Sequence, residues 1–193
     1  MPLNQIAITP ILYGALTGAG IIGSLASPLS IGLANALCIY GTSSMNVTTI
    51  DVGVLGSGKG FGVGVILPIS ILTSSLSTSM PAAGFLGASA PQLINGISIG
   101  YSETLATAII NTVHPNVGVG TGKLQVFPNT AVAINIFVTA FAAAGLSGSM
   151  AVSLATAVAS GLDSSLISAQ GVVAITGSPS VIPSTGVGLG KLL

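Results

Sequence analysis

The sequence predicts an α+β fold, mainly helical with short β segments, built as a single domain of three tandem helix–helix–glycine-rich-strand units over residues 1–193. Three observations predict it. Three stretches read alike, "GAGIIGSLASPLSIGLANAL" (18–37), "AAGFLGASAPQLINGISIGYSETL" (82–105) and "AAGLSGSMAVSLATAVASGLDSSL" (143–166), each beginning A-G-x-x-G. Every lysine follows a G-x-G: "GSGKG" (56–60), "GVGTGKL" (118–124) and "GLGKL" (188–192). Pro10, Pro68 and Pro128 then divide the chain into units of about 10–67, 68–127 and 128–193. A period of this size is the signature of a repeat architecture.

Within a unit, the third copy is the clearest. "PNTAVAINIFVTAFAAAGLSG" predicts a helix with Pro128 near its start and Gly145 as its stop. Val132, Ile136, Phe137 and Ala140 give it one apolar face. "SGSMAVSLATAVASGLDSSLISA" predicts a second helix, with Ser147 or Ser149 as N-cap. The short link between them predicts an αα-hairpin. In the extended parts, "VTTIDVGVLGSGKGFGVGVIL", "VGVGTGKLQVF" and "GVVAITG" with "TGVGLGKLL", Val, Ile and Thr alternate with Gly, which predicts strands weakened at each glycine. Matching Gly32, Gly100 and Gly161 at the ends of the three stretches makes the first copy four residues shorter, close to one helical turn.

Composition narrows the role. Charged residues are 3% of the chain, net charge is zero and mean hydropathy is +0.98. An ordinary soluble domain carries roughly 25% charge. Such a surface has no self-repulsion to keep copies apart, so neighbours or lipid are expected to cover it. With three lysines and no arginine, a nucleic-acid partner is not expected. "MPLNQIAITPILYG" lacks a basic region and reads as a poor secretory signal. The most apolar run, "AVAINIFVTAFAAAGL" (131–146), is short of the ~20 residues that span a bilayer.

The glycine–lysine segments are poor phosphate loops. A Walker A loop needs G-x4-G-K-[ST] opening a helix. Gly60 follows Lys59, Leu124 follows Lys123 and Leu192 follows Lys191, where Ser or Thr is required; Val117 and Thr185 replace the first glycine in the second and third copies. The lysines instead suit a strand edge, where charge discourages further pairing, or a contact with an acid of a neighbouring copy. The expected inter-subunit contact residues are therefore Lys59, Lys123, Lys191, Asp51, Glu103 and Asp163, with Glu103 and Asp163 at nearly equivalent helix positions and Asn35 in the place of Glu103. His114, in "NTVHPNVG", has no sequence partner for a metal or catalytic site. Cys38, alone in the chain, reads as a small buried apolar residue. No catalytic residue, cofactor or metal ligand is expected.

"AAGFLGASAPQLINGISIGY" and "NTVHPNVGVGTG", with the start "MPLNQ", resemble small, nearly uncharged virion structural proteins of tailed bacteriophages. That resemblance implies a tail, neck or baseplate component in a virion assembled in the host cytoplasm. Such a subunit would act by packing against copies of itself or other virion proteins. The alternative expectation is a small integral membrane protein, a pore or channel component with six short helices.

Overall fold

The computed structural model describes residues 4–44, 47–54, 57–64, 69–107, 109–114, 119–127, 129–168, 171–177 and 184–192, with side chains for 4–39, 69–104, 107 and 129–165. Among the described residues there are six helices: α1 (Gln5–Gly18), α2 (Ala26–Ser44), α3 (Ile69–Ala82), α4 (Ala90–Thr107), α5 (Thr130–Ala143) and α6 (Ser149–Ser168). Among the residues with described side chains there is no strand, and the packed core is all-helical. This corrects the α+β class with short β segments. The described apolar side chains lie on the six helices and pack helix against helix, so the described core is built without a sheet.

The glycine-rich stretches are described as backbone. They hold two strands per unit rather than one: β1 (Val47–Val54) with β2 (Ser57–Gly64), β3 (Ile109–His114) with β4 (Val119–Phe127), and β5 (Gly171–Gly177) with β6 (Ser184–Leu192). All neighbours are antiparallel, and β6 pairs back onto β1, closing the ring. A closed ring has no free edge. The edge placement expected for the lysines is therefore corrected as well.

Local chemistry explains the helices. Asn4 caps α1 by accepting from the Ala7 N–H at 2.9 Å, and Asn129 caps α5 by accepting from Val132 at 3.3 Å. Pro10 lies inside α1, so it does not open the first unit. Pro68 and Pro128 lie outside the described residues. In α5 the buried residues are Ala133, Phe137, Ala140 and Phe141, while Val132 is 38% exposed. The face is thus turned about one residue from the one predicted. α6 opens at Ser149, preceded by Gly148 at φ +95°, whose carbonyl accepts from Ala151 and Val152. Three buried hydroxyls donate within their own helices, Ser98 to the Ile94 carbonyl, Thr104 to Gly100 and Ser165 to Gly161, while the buried Ser79 hydroxyl of α3 accepts from the Asn35 amide of α2 at 3.2 Å.

The three hairpins share one hydrogen-bond pattern. The N–H groups of Gly20, Gly84 and Gly145 donate to the carbonyls of Thr17, Pro81 and Ala142. Those of the next residues, Ile21, Phe85 and Leu146, donate to Leu16, Met80 and Phe141. This is a Schellman stop. The three glycines sit at φ +82°, +89° and +84°, a conformation that costs any residue with a Cβ. Three residues later Gly23, Gly87 and Gly148 accept from Ala26, Ala90 and Ala151.

These bonds fix the register between units, and it differs from the sequence alignment. Counted from the Schellman glycine, Gly32 corresponds to Gly96 and Ala157, and Gly100 to Gly161 and Ala36. No turn is missing from the first copy at this point. Glu103 then corresponds to Ile39 and Ser164, and Asp163 to Ser102 and Cys38: the two acids stand one residue apart in register, and Asn35 does not stand for Glu103.

The helices close into a ring. Each hairpin packs within itself, and α2 packs on α3, α4 on α5 and α6 on α1. The second helix of each unit is the more buried. Leu33, Ile97 and Val158 recur at one equivalent position, and Leu37, Tyr101 and Leu162 at another, all within the hydrophobic cluster. At the ends opposite the hairpin turns, α2, α4 and α6 lead towards the strands and contact β6, β2 and β4 respectively. The molecule therefore has a hairpin pole and a strand pole.

Candidate functional site: the hairpin pole

The Schellman stops place one apolar residue from each unit on the inner side of the pole: Ile21, Phe85 and Leu146, each held by its own backbone bond. Below them stand Leu29, Leu93 and Leu154, equivalent positions on the second helices. Together they line a recess of about 350 Å³ whose walls draw on all three hairpins. A second recess of about 320 Å³ adjoins it, sharing Phe85, Leu93, Leu146 and Leu154. On the rim, Ile22 is 78% exposed, Leu86 70%, Met150 66% and Leu25 52%.

No ionisable side chain belongs to this pole. Along the helices, the first acids are Glu103 and Asp163, 13 and 14 residues beyond the starts of α4 and α6, which is about 20 Å at the α-helical rise. The other four charged residues sit in strands: Asp51 in β1, Lys59 in β2, Lys123 in β4 and Lys191 in β6. Charge is thus segregated to the strand half of the molecule.

The structure brings the lysines into one relationship. Lys59 pairs with Val113, Val113 with Lys123, Lys123 with Val172 and Val172 with Lys191, a single row across β2 to β6. Residues directly opposite share a face, so all three lysines lie on the same face of the ring. Asp51 pairs with Gly60 and Gly186 and so takes the alternate face. His114 ends β3 opposite Gly58. The side chains of these strand residues lie outside those described.

The two helical acids differ. Glu103 is exposed on α4. Asp163 is half-buried on α6: its Oδ2 accepts from the Thr130 hydroxyl, while Oδ1 is sealed from solvent with no partner among the described residues. Burial pushes its carboxyl above the usual carboxylate range. Cys38, also half-buried, has its thiol pushed up to about 11 by burial, so it is poorly nucleophilic near neutral pH. Among the described residues, no group of three His, Cys, Asp or Glu side chains could hold a metal ion.

The apolar pole was not among the sequence-predicted site residues, all of which are charged. A signal for it is present. "GIIGSL", "GFLGAS" and "GLSGSM" put large apolar residues into tight helix–helix turns, where polar residues are usual. Comparison with known proteins gives no match: no family, no characterised protein and no solved structure resembles the chain.

Proposed function

We propose that this chain is a structural assembly subunit, acting by packing against neighbouring copies or other proteins of a particle, of the tail, neck or baseplate kind in a tailed-bacteriophage virion. The observation that carries the reading is the outer surface of the helical ring. The first helices α1, α3 and α5 contain no charged residue at all. Their outward sides carry Ile6 at 87% exposure, with Tyr13, Ile69 and Val132 also exposed. A surface evolved to face water alone is roughly one-quarter to one-third charged. Burying such side chains against neighbours stabilises an assembly by roughly 25 cal/mol per Å² of apolar area removed from water. Phage membership rests on the sequence texture alone.

Sedimentation velocity and negative-stain microscopy of the full chain, made without detergent, test the reading. Regular rings, tubes or filaments that dissociate when Ile6 and Val132 are replaced by Glu support it. A monodisperse monomer at high concentration sinks it. The pore reading gains no support from the helices, since among the described residues none is long and apolar enough to cross a membrane.

A further inference from the structure

We propose that the hairpin pole docks on the uncharged acyl region of a lipid surface, inserting Ile22, Leu25, Leu86 and Met150 and seating acyl-chain segments in the axial recess. The inference stands apart from the assembly reading, which rests on the outer helices at the flank of the molecule.

Three observations favour lipid over other occupants. The first is the distribution of charge. With the nearest helical acids about 20 Å away along α4 and α6 and the lysines in the strands, the pole offers no charge to a charged partner and no charged group that an apolar phase would have to desolvate. The second is shape. The protruding side chains surround a hollow of about 350 Å³. Two copies meeting pole to pole would set hollow against hollow and trap a void, which forfeits contacts on every wall. A flexible acyl chain fills such a hollow. The third is construction. The rim residues sit on or beside turns fixed by the Schellman bonds: Ile22 and Leu86 follow the glycine by two residues, with Ser147 in the third copy, and Leu25 and Met150 follow it by five, with Ser89 in the second, so each hairpin presents at least one apolar tip at the same end of the ring. Shallow insertion of apolar tips needs no membrane-spanning helix.

Vesicle flotation of the full chain on pure phosphatidylcholine tests the proposal. Wild type is expected to float with the vesicles, and raising the salt should leave the bound fraction unchanged. Leu86→Asp and Ile22→Asp should each lower that fraction at least about tenfold, because a carboxylate is carried into apolar surroundings. Both residues are exposed, so circular dichroism should show folding unchanged; Leu86→Ala and Ile22→Ala give a second, milder pair. Three results overturn the proposal. One is failure of the wild type to float. Another is binding that requires anionic lipid and is lost in salt, which would move the contact to the lysines. The last is self-association that the same substitutions abolish without any vesicle binding, which would make a second copy the occupant. Loss of particle formation with intact flotation would instead count against the assembly reading alone.

Discussion

A Cβ atom added to Gly100 of α4 would lie 2.4 Å from Cδ1 of Phe137 on α5, inside the closest approach two carbons allow. The same place between the third unit and the first pairs Gly161 with Leu12, where an added Cβ would lie 2.7 Å from Cδ2. Between the first unit and the second, the equivalent positions hold Ala36 and Leu76, both buried. One turn closer to the pole, Gly32 faces Met80 and Gly96 faces Phe141, while Ala157 is the third member. The ring is therefore sealed by small residues on each second helix, matched to large ones on the next unit's first helix.

Gly100→Ala should destabilise the protein by about 1–3 kcal/mol, the usual range for overpacking, despite the better helix propensity of alanine. Chemical denaturation monitored by circular dichroism measures it. The natural Ala36 and Leu76 positions suggest the remedy. Adding Phe137→Leu to Gly100→Ala should give a double variant more stable than the two single effects predict, by about 1 kcal/mol. Simple additivity would mean that the ring of Phe137 does not limit the approach of α4 and α5.

Two other glycine substitutions should have opposite signs. Gly145, at φ +84°, holds the Schellman stop of α5, and Gly145→Ala should cost about 1–2 kcal/mol through the left-handed backbone alone, since a Cβ there meets nothing. Gly14 lies inside α1 with open space where its Cβ would be. Gly14→Ala should stabilise by about 0.5–1 kcal/mol. Thermal melting of both variants beside wild type separates conformational cost from steric cost.

The helical hairpins were legible because A-G-x-x-G states a backbone requirement: Gly20, Gly84 and Gly145 must reach positive φ, whatever surrounds them. The register between units was not legible for a different reason. Along the second helices, glycine marks the bulk of the partner and not the place in the repeat. It stands opposite Phe137, Phe141, Met80 and Leu12, while Ala36 and Ala157 fill the equivalent places in the other copies. Matching Gly32 to Gly100 therefore produced a missing turn that the hairpin bonds do not contain. The fold class was misread because the extended Val- and Gly-rich stretches were counted with the helices, whereas the described core is helix packed on helix. The pole is not legible from charge, because the hairpin turns carry no charged residue.

Cys38 should behave as a buried apolar residue towards reagents. With its thiol pushed up to about 11, the thiolate fraction at neutral pH is far below that of an ordinary cysteine. Reaction of the native protein with a thiol-specific disulfide reagent should be slow at pH 7 to 8 and should accelerate sharply on adding denaturant. Equally fast reaction in the folded and unfolded states would show that the α2 environment does not shield the sulfur.

Asp163 should make stability depend on pH in the direction opposite to that of a salt-bridged carboxylate. Its folded pKa lies above the ordinary value because burial disfavours the charged form, and its Oδ1 has no partner among the described residues to offset that cost. Between the unfolded and the folded pKa the native state holds the proton more tightly, so stability is highest below the unfolded value of 3.8 and falls as pH rises through the folded one. An Asn at this position can still accept from the Thr130 hydroxyl through its carbonyl oxygen but cannot ionise. Asp163→Asn should therefore be more stable than wild type at neutral pH and should flatten the decline in stability through the weakly acidic range. Urea midpoints measured from pH 4 to pH 8 for both proteins decide the matter. A wild-type midpoint that rises with pH, with the increase abolished in Asp163→Asn, would mean that the folded state favours the carboxylate and that a cation reaches Asp163 after all.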